Sequence, residues 1–233
     1  MSYHIESDES VERGVQRCAR EQLTKVIDEL NDDSVDRADT VHQVRKRMKK
    51  LRGLVRLVRP ALGDRYKPLN KQFRDVARRF SDLRDAQVMI ETFDQVVERS
   101  SIERAADKFA PIRAVLTGRR DRVARRADDL DDLFGETADA LTAARDQVSR
   151  WALAETGFDA VSGGLAKTYN RARDAMTEAI DDPTPDTFHD WRKRAKYHRY
   201  HIRLLEPAWP RPLKARRQAL KQLTDLLGDD HDL

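Results

Sequence analysis

The sequence is poor in several features that define common protein classes. Its 233 residues include one cysteine, nine glycines, eight prolines and 6% aromatic residues. A single cysteine, Cys18, excludes a disulfide framework within the chain and fits a reducing compartment. No apolar run approaches the roughly 20 residues of a membrane span, and the N-terminus has no signal-peptide pattern. We therefore expect a soluble, cytoplasmic protein without a membrane partner.

Motifs for catalysis and metal binding are also missing. The chain has no glycine-rich phosphate loop, no H-E-x-x-H pair and no nucleophile motif. His198, His201 and His231 have no cysteine or carboxylate at a diagnostic ligand spacing, so we expect no metal site. We interpret His198 and His201 as packing residues. The sequence predicts neither an enzyme nor a cofactor.

Helical periodicity is what the chain does contain. Apolar residues recur every three or four positions over most of its length, and the alternating runs typical of strands are absent, which predicts an all-α fold. The pattern predicts helices over residues 10–30, 42–59, 66–99, 102–133, 136–155, 158–180, 189–206 and 213–227, with a kink or a straight continuation at 81–85 and a kink or break at Pro111. Residues 1–8 are expected to be a frayed terminus. Asp39 or Thr40 is the candidate N-cap of the second helix.

Two of these helices carry nearly the same basic sequence. Residues 42–60 read HQVRKRMKKLRGLVRLVRP and residues 189–207 read HDWRKRAKYHRYHIRLLEP. On the first helix five residues fall within an arc of roughly 80°, beside an arc of apolar residues, namely His42, Arg45, Lys49, Arg52 and Arg56. Proline disfavours helix continuation, so both helices are expected to stop near Pro60 and Pro207. Each helix thus presents a basic stripe along the edge of a core-facing surface.

The resemblance between the halves extends beyond these helices. Residues 42–86 align with 189–233 at an offset of 147 without a gap, and the preceding helices align at an offset of 150. This pattern predicts one domain over 1–233, made of two internal repeats at approximately 10–135 and 136–233. We expect two helical bundles related by a pseudo-two-fold axis, with their basic helices facing a shared space.

Positive charge is concentrated on the two basic helices. The chain has a net charge of +4, but residues 42–59 contain eight Arg or Lys and no acid. Like charges at this spacing repel by a few tenths of a kcal/mol per exposed pair. Either acids elsewhere in the fold or a bound anion must relieve that repulsion, and we favour the anion because the stripe occurs twice. Arginine predominates among the basic residues, and its guanidinium donates two parallel hydrogen bonds to phosphate.

The doubled pattern H-x-x-R-x-x-x-K-x-x-R-x-x-x-R, each copy followed by a proline turn and a helix, resembles the conserved histidine α-helical domain (CHAD) family. The resemblance covers roughly 10–233. It implies two four-helix bundles that bind inorganic polyphosphate along a basic surface between them, without catalysis by the domain itself. It also implies association with polyphosphate or storage granules. Because the second half stops where the first continues as a helix, we expect either that the molecule is shortened here or that the second bundle lacks its last helix.

The resemblance also implies a set of binding residues. By motif position they are His42, Arg45, Lys49, Arg52 and Arg56 on the first stripe, and His189, Arg192, Lys196, Arg199 and Arg203 on the second. Lys46 and Lys193 lie beside the stripes, and Arg17, Lys167 and Arg171 on the preceding helices are expected to complete the lining. Protonation of the two histidines should strengthen binding below about pH 6.5.

Two other functions share these electrostatics. A helical module that binds nucleic acid would use the same basic surface, with Gln43 and Trp191 as the side chains beside the stripes that could contact bases. An enzyme acting on phosphate esters would need an acidic metal cluster, which the sequence does not show. We therefore favour polyphosphate over nucleic acid as the partner.

Overall fold

The structure, a computed structural model, describes residues 3–102, 104–126 and 130–231, and within these ranges the side chains of 124–126 and 229–231 are left undescribed. This part of the chain is helical and contains no strand, so the predicted all-α class is confirmed. In chain order the helices are α1 (Val11–Leu30), α2 (Arg37–Leu57), α3 (Arg59–Leu62), α4 (Tyr66–Arg79), α5 (Ser81–Arg99), α6 (Ala105–Arg126), α7 (Leu130–Asp146), α8 (Asp159–Asp181), α9 (Pro185–Leu205) and α10 (Pro210–His231).

Four helices of the first half form a bundle around the main core. Helix α2 packs against α1 and α4, and α7 packs against α1. Phe73 and Trp151 meet at a ring distance of 6.3 Å, and Phe80 and Phe134 at 5.9 Å. Helices α5 and α6 pack together as a hairpin, with α5 also against α2. The core is therefore largest on the side of α2 that faces away from its basic stripe.

The second half repeats the packing order of the first. Helix α9 lies between α8 and α10, as α2 lies between α1 and α4. The halves meet where α2 contacts α8 and α9. At this junction the buried Nε2 of His201 lies 3.0 Å from the carbonyl oxygen of Gly53. The predicted duplication is compatible with this order, but the internal repeats and their boundaries stay predictions.

Both basic helices are delimited by local signals. Asp36 caps α2, because its side chain accepts from the backbone N–H groups of Ala38 and Asp39. The observed cap therefore lies three to four residues before the predicted caps, and Asp39 and Thr40 lie inside the helix. A capping box at Thr184 starts α9. The two helices end at Leu57 and Leu205, within three residues of the prolines, as predicted.

The N-terminal segment was wrongly predicted to be frayed. Tyr3 is buried, and its hydroxyl donates to the carbonyl oxygen of Lys50 at 2.6 Å. The backbone N–H of Ile5 donates to the carbonyl oxygen of Leu204 at 2.8 Å. The segment therefore connects α2 to α9 beside their crossing, a long-range contact that no local pattern indicates.

Candidate anion-binding site

The N-terminal half of α2 and the middle of α9, together with α5, enclose a cleft of about 420 Å³, which we call the central cleft. Seven of the predicted site residues line it, namely His42, Arg45, Lys46, Lys49, Arg192, Lys196 and Arg199. The other charged side chains in its wall are Arg84, Asp85 and Glu91 of α5. The central cleft therefore combines seven Arg or Lys side chains with two carboxylates.

Two arginines of the central cleft also hold the helices that form its walls. Arg45 donates through Nη1 to the carbonyl oxygen of Ala77 at 3.1 Å and to Oγ of Ser81 at 2.6 Å. The Ala77 carbonyl lies in the last turn of α4, where helix carbonyls have no intrahelical partner. On the other side Arg192 donates through Nε to the carbonyl oxygen of Thr224 at 3.3 Å. Both bonds join partners 32 residues apart, at positions related by the offset of 147.

The lysines of α2 contribute positive charge without a matching acid. Among the described residues neither Lys46 nor Lys49 forms an ion pair, and both side chains are exposed. Crowding by the cleft walls, followed by the charges of Arg45 and Arg192, lowers the pKa of Lys49 below its usual value. The charge of Arg192 therefore reaches across from α9 to α2. The unbound cleft carries like charges that repel each other.

His42 lies at the rim of the central cleft. Partial burial, then the positive charges of Arg84 and Lys46, lower the pKa of its imidazole from the usual 6.5. The free protein therefore protonates His42 at a lower pH than the sequence alone suggested. A bound anion would oppose all three effects, because it favours the imidazolium.

A second basic pocket, which we call the distal pocket, lies where the α2 stripe meets α8. Its lining is Arg56, Arg59, Tyr66, Lys167, Thr168, Arg171, Arg194 and Tyr197. The Arg56 guanidinium lies 3.8 Å from the ring centroid of Tyr197, and that of Arg59 lies 4.4 Å from the ring of Tyr66. Arg52 stands between the central cleft and the distal pocket, with its Nε 3.3 Å from Oδ1 of Asn70. Three further predicted residues, Arg56, Lys167 and Arg171, are thus brought together.

Besides Arg52, four predicted residues lie outside both cavities. Arg17 is 2.5 Å from a carboxylate oxygen of Glu9 and 3.1 Å from one of Glu21. Lys193 forms an ion pair with Asp190 on its own helix. The remaining two are Arg203, which lines a surface pocket with Glu206 and Arg217, and His189, which is exposed in the second turn of α9.

The structure adds residues that the sequence did not single out. Arg84 reaches the central cleft from α5 and pairs there with Glu91 at 2.9 Å. No local pattern could have placed it, since its position depends on how α5 folds back onto α2. Arg59 continues the α2 stripe by one further step of three, which was a usable signal. Arg194 and Tyr197 lie off the α9 stripe and enter the distal pocket only because α9 crosses α2.

The buried histidines belong to the packing between helices. His198 and His201 are 5% and 0% exposed, so their interpretation as packing residues is confirmed. Burial lowers the pKa of His198 to about 4 and that of His201 to about 3. Both are therefore neutral at neutral pH. Within the described residues no group of three His, Cys, Asp or Glu side chains could hold a metal ion.

Comparison with known proteins assigns the chain to a family. Searches of curated proteins and of solved structures gave no match. In the described part of the chain no helix is long and apolar enough to cross a membrane. The family model described as the CHAD domain matches residues 17–233. CHAD domains are helical domains associated with polyphosphate binding. Since the match spans nearly the whole chain and the fold is all-α, the chain belongs to the CHAD domain family.

Proposed function

We propose that the chain binds inorganic polyphosphate in the central cleft and does not catalyse its conversion. The observation that carries this proposal is the convergence of two basic stripes on one cleft whose α2 lysines have no ion-pair partner among the described residues. A chain of phosphates supplies closely spaced negative charge along its length, which matches a row of guanidinium and ammonium groups. Membership of the CHAD family supports the same ligand.

The absence of catalysis is part of the proposal. The two carboxylates of the central cleft are committed to arginines, Asp85 at 3.8 Å from Arg45 and Glu91 to Arg84. The purified chain, incubated with polyphosphate and Mg²⁺, should release no phosphate above background. Release that follows the protein through purification would overturn this part of the proposal.

Binding should show the salt dependence of a polyanion complex. Each basic group that neutralises a phosphate releases counterions, so the logarithm of affinity should fall linearly with the logarithm of salt concentration. Long-chain polyphosphate should also raise the melting temperature, since a ligand that binds only the native state stabilises it. Both quantities can be measured by titration calorimetry and thermal unfolding at several salt concentrations.

The sharpest variants are those that remove cleft charge without breaking a structural bond. Lys46→Ala with Lys49→Ala should weaken polyphosphate binding roughly tenfold and reduce the salt slope by about two. Arg45 and Arg192 are less suitable, because each also bonds a helix carbonyl. The matched control is Lys108→Ala with Lys214→Ala, which removes two exposed lysines outside both cavities. Equal losses in the two double variants would show that only net charge matters and would contradict the cleft as the site.

The aromatic residues of α9 do not favour nucleic acid. Tyr197 is 8% exposed, and the ring of Trp191 is 6.3 Å from that of Phe188. The ring of Tyr197 is therefore not presented for stacking on a base, and that of Trp191 is half-buried. DNA or RNA should therefore compete with polyphosphate only weakly at equal phosphate concentration. Efficient displacement by either would overturn the choice of polyphosphate.

Cytoplasmic location and association with polyphosphate granules are part of the same proposal, and cofractionation with granules would test them.

A further inference from the structure

Beyond the central cleft, the two basic stripes end in different surroundings. Beyond the crossing of α2 and α9, the α2 stripe ends at Arg56 in the distal pocket, which no carboxylate lines. The α9 stripe ends at Arg203, which shares its pocket with Glu206. A duplicated fold would make these ends equivalent, so the difference comes from side chains that are specific to each half.

At the distal pocket, aromatic rings contact the guanidinium groups that acids pair with elsewhere in the molecule. The guanidinium groups of Arg56 and Arg59 lie over the rings of Tyr197 and Tyr66, which stabilise a cation through their faces. A ring neither neutralises the charge nor occupies the N–H donors. Lys167 and Arg171, both exposed on α8, add two further charges. The pocket therefore keeps its capacity to bind anionic oxygen atoms.

Acids partly offset the positive charge at the corresponding end of the α9 stripe. Arg17 occupies the position that matches Lys167 and is paired with Glu9 and Glu21. Arg47 and Arg194 occupy matching positions and do not distinguish the two ends, because Arg47 is paired with Glu29 and Arg194 with Asp190. Next to Arg203, the carboxylate of Glu206 is 2.5 Å from Arg217. Glu9, the acids of α1 and Glu206 thus reduce the positive field in this direction. They do not abolish it, because burial and then the charges of Arg203 and Arg47 lower the pKa of Lys50 there to about 8.

We propose that bound polyphosphate extends from the central cleft in one direction only, past Arg52 and into the distal pocket. This inference rests on the proposed function. From His42 to Arg56 the stripe rises about 21 Å along α2, at 1.5 Å per residue. Only a chain much longer than a few phosphates can occupy both ends at once. The site is therefore selective for long chains, because the second contact is gained without a second association step.

The test compares two ligands on one pair of variants. Lys167→Glu with Arg171→Glu should weaken the binding of long-chain polyphosphate at least tenfold. The same variant should bind tripolyphosphate with an affinity within about twofold of the wild type, because the shorter ligand stays in the central cleft. The control, Arg20→Glu with Arg173→Glu, makes the same change in net charge at exposed positions of α1 and α8 outside both cavities. It should leave both affinities nearly unchanged.

The possible outcomes separate this inference from the proposed function. A selective loss of long-chain affinity in the Lys167/Arg171 variant supports the one-directional path. Equal loss for both ligands, or no loss for either, overturns the path and leaves binding in the central cleft standing. Failure of the wild type to bind long-chain polyphosphate overturns the proposed function itself. An equal effect of the control variant would also overturn the path, because net charge alone would then explain the result.

Discussion

Lys49 illustrates how a binding residue can lower the stability of the free protein. Its ammonium group is crowded by the cleft walls and repelled by Arg45 and Arg192, which lowers its pKa. Replacing it with methionine removes the like charge and keeps an unbranched side chain. We expect Lys49→Met to raise the free energy of unfolding by a few tenths of a kcal/mol without ligand, and to weaken polyphosphate binding. Denaturant unfolding and titration measure the two effects, and Lys108→Met is the control. A variant that is both less stable and fully able to bind would contradict this account.

We expect His42 to make the proposed polyphosphate binding depend on pH. Its pKa lies below 6.5 in the free protein and should rise when an anion neutralises Arg84 and Lys46 around it. Binding then takes up a proton, so affinity should increase as pH falls from about 8. The increase should level off once free His42 is itself protonated, below pH 6.5. A shift of one unit corresponds to about tenfold in affinity.

The measurement for His42 is polyphosphate affinity between pH 8 and 5 with long chains, whose few terminal groups contribute little titration. His42→Gln should bind with a flatter pH profile and fall furthest below the wild type at the acid end. His42 and His189 differ in this respect, because His189 lies outside the central cleft. A profile that stays steep in His42→Gln but flattens in His189→Gln would reverse this assignment.

At the scale of single helices, the stripes were predictable and several boundaries were not. The periodicity of charged and apolar residues is a local property, so the sequence alone places Arg45, Lys49 and Arg192 on helix faces. The break between Phe80 and Ser81, where α5 turns onto α2, depends on packing and could only be raised as a possibility. Residues after Asp146 were wrongly predicted as helix: Trp151 is buried there in irregular backbone beside Phe73. Its burial in the core overrides the helical periodicity.

The pairing of Arg17 was partly visible in the sequence. Glu21 follows it by four residues on the same helix, a spacing that commonly gives an ion pair. Glu9 lies before the helix begins, and its contact with Arg17 requires the N-terminal segment to fold back over α1. The sequence thus indicated one of the two ion pairs of Arg17, the one with Glu21. The other ion pair, with Glu9, is a tertiary contact.

The contact of α2 with α8 depends on the absence of a side chain. A Cβ atom built on Gly164 would lie 1.9 Å from the carbonyl oxygen of Leu57 and 2.5 Å from that of Arg56. Gly164→Ala should therefore force the two helices apart and cost about 2 kcal/mol or more of stability. Because α8 carries Lys167 and Arg171, binding of long-chain polyphosphate should weaken as well.

Gly118 provides the matched control for this substitution. It lies inside α6, and nothing stands within 4 Å of the Cβ position. Gly118→Ala should stabilise the protein by about 0.5–1 kcal/mol, because alanine loses less backbone freedom in a helix. Denaturant unfolding of both variants gives the comparison. Similar effects of the two substitutions would show that the close approach at Gly164 relaxes without cost.

For the whole molecule, the contact that matters most is the one that joins its halves. His201 of α9 donates from Nε2 to the carbonyl oxygen of Gly53 on α2, and Tyr3 closes the same junction from the N-terminal segment. The central cleft exists because this crossing holds the two stripes face to face. The sequence of either half alone could not predict the crossing, because each half predicts only its own helices. Its main polar contact is a buried histidine that must remain neutral.

Acid should therefore weaken the junction before it affects individual helices. Burial lowers the pKa of His201 to about 3, whereas in the unfolded chain it is near 6.5. A histidine with a lowered folded-state pKa contributes fully above pH 6.5, and its contribution is lost as pH falls from 6.5 toward 3. The loss should amount to about 1 kcal/mol or more between pH 7 and 5, since one unit of pKa difference corresponds to about 1.4 kcal/mol.

His201→Gln can keep a donor for the Gly53 carbonyl but cannot titrate, so its free energy of unfolding should depend less on pH over this interval. Denaturant unfolding at pH 7, 6 and 5 measures the difference between the two slopes, and His198→Gln reports the similar share of the second buried histidine, whose pKa of about 4 also lies below this interval. Equal slopes for wild type and His201→Gln would mean that the junction opens to water without unfolding and that His201 titrates freely there.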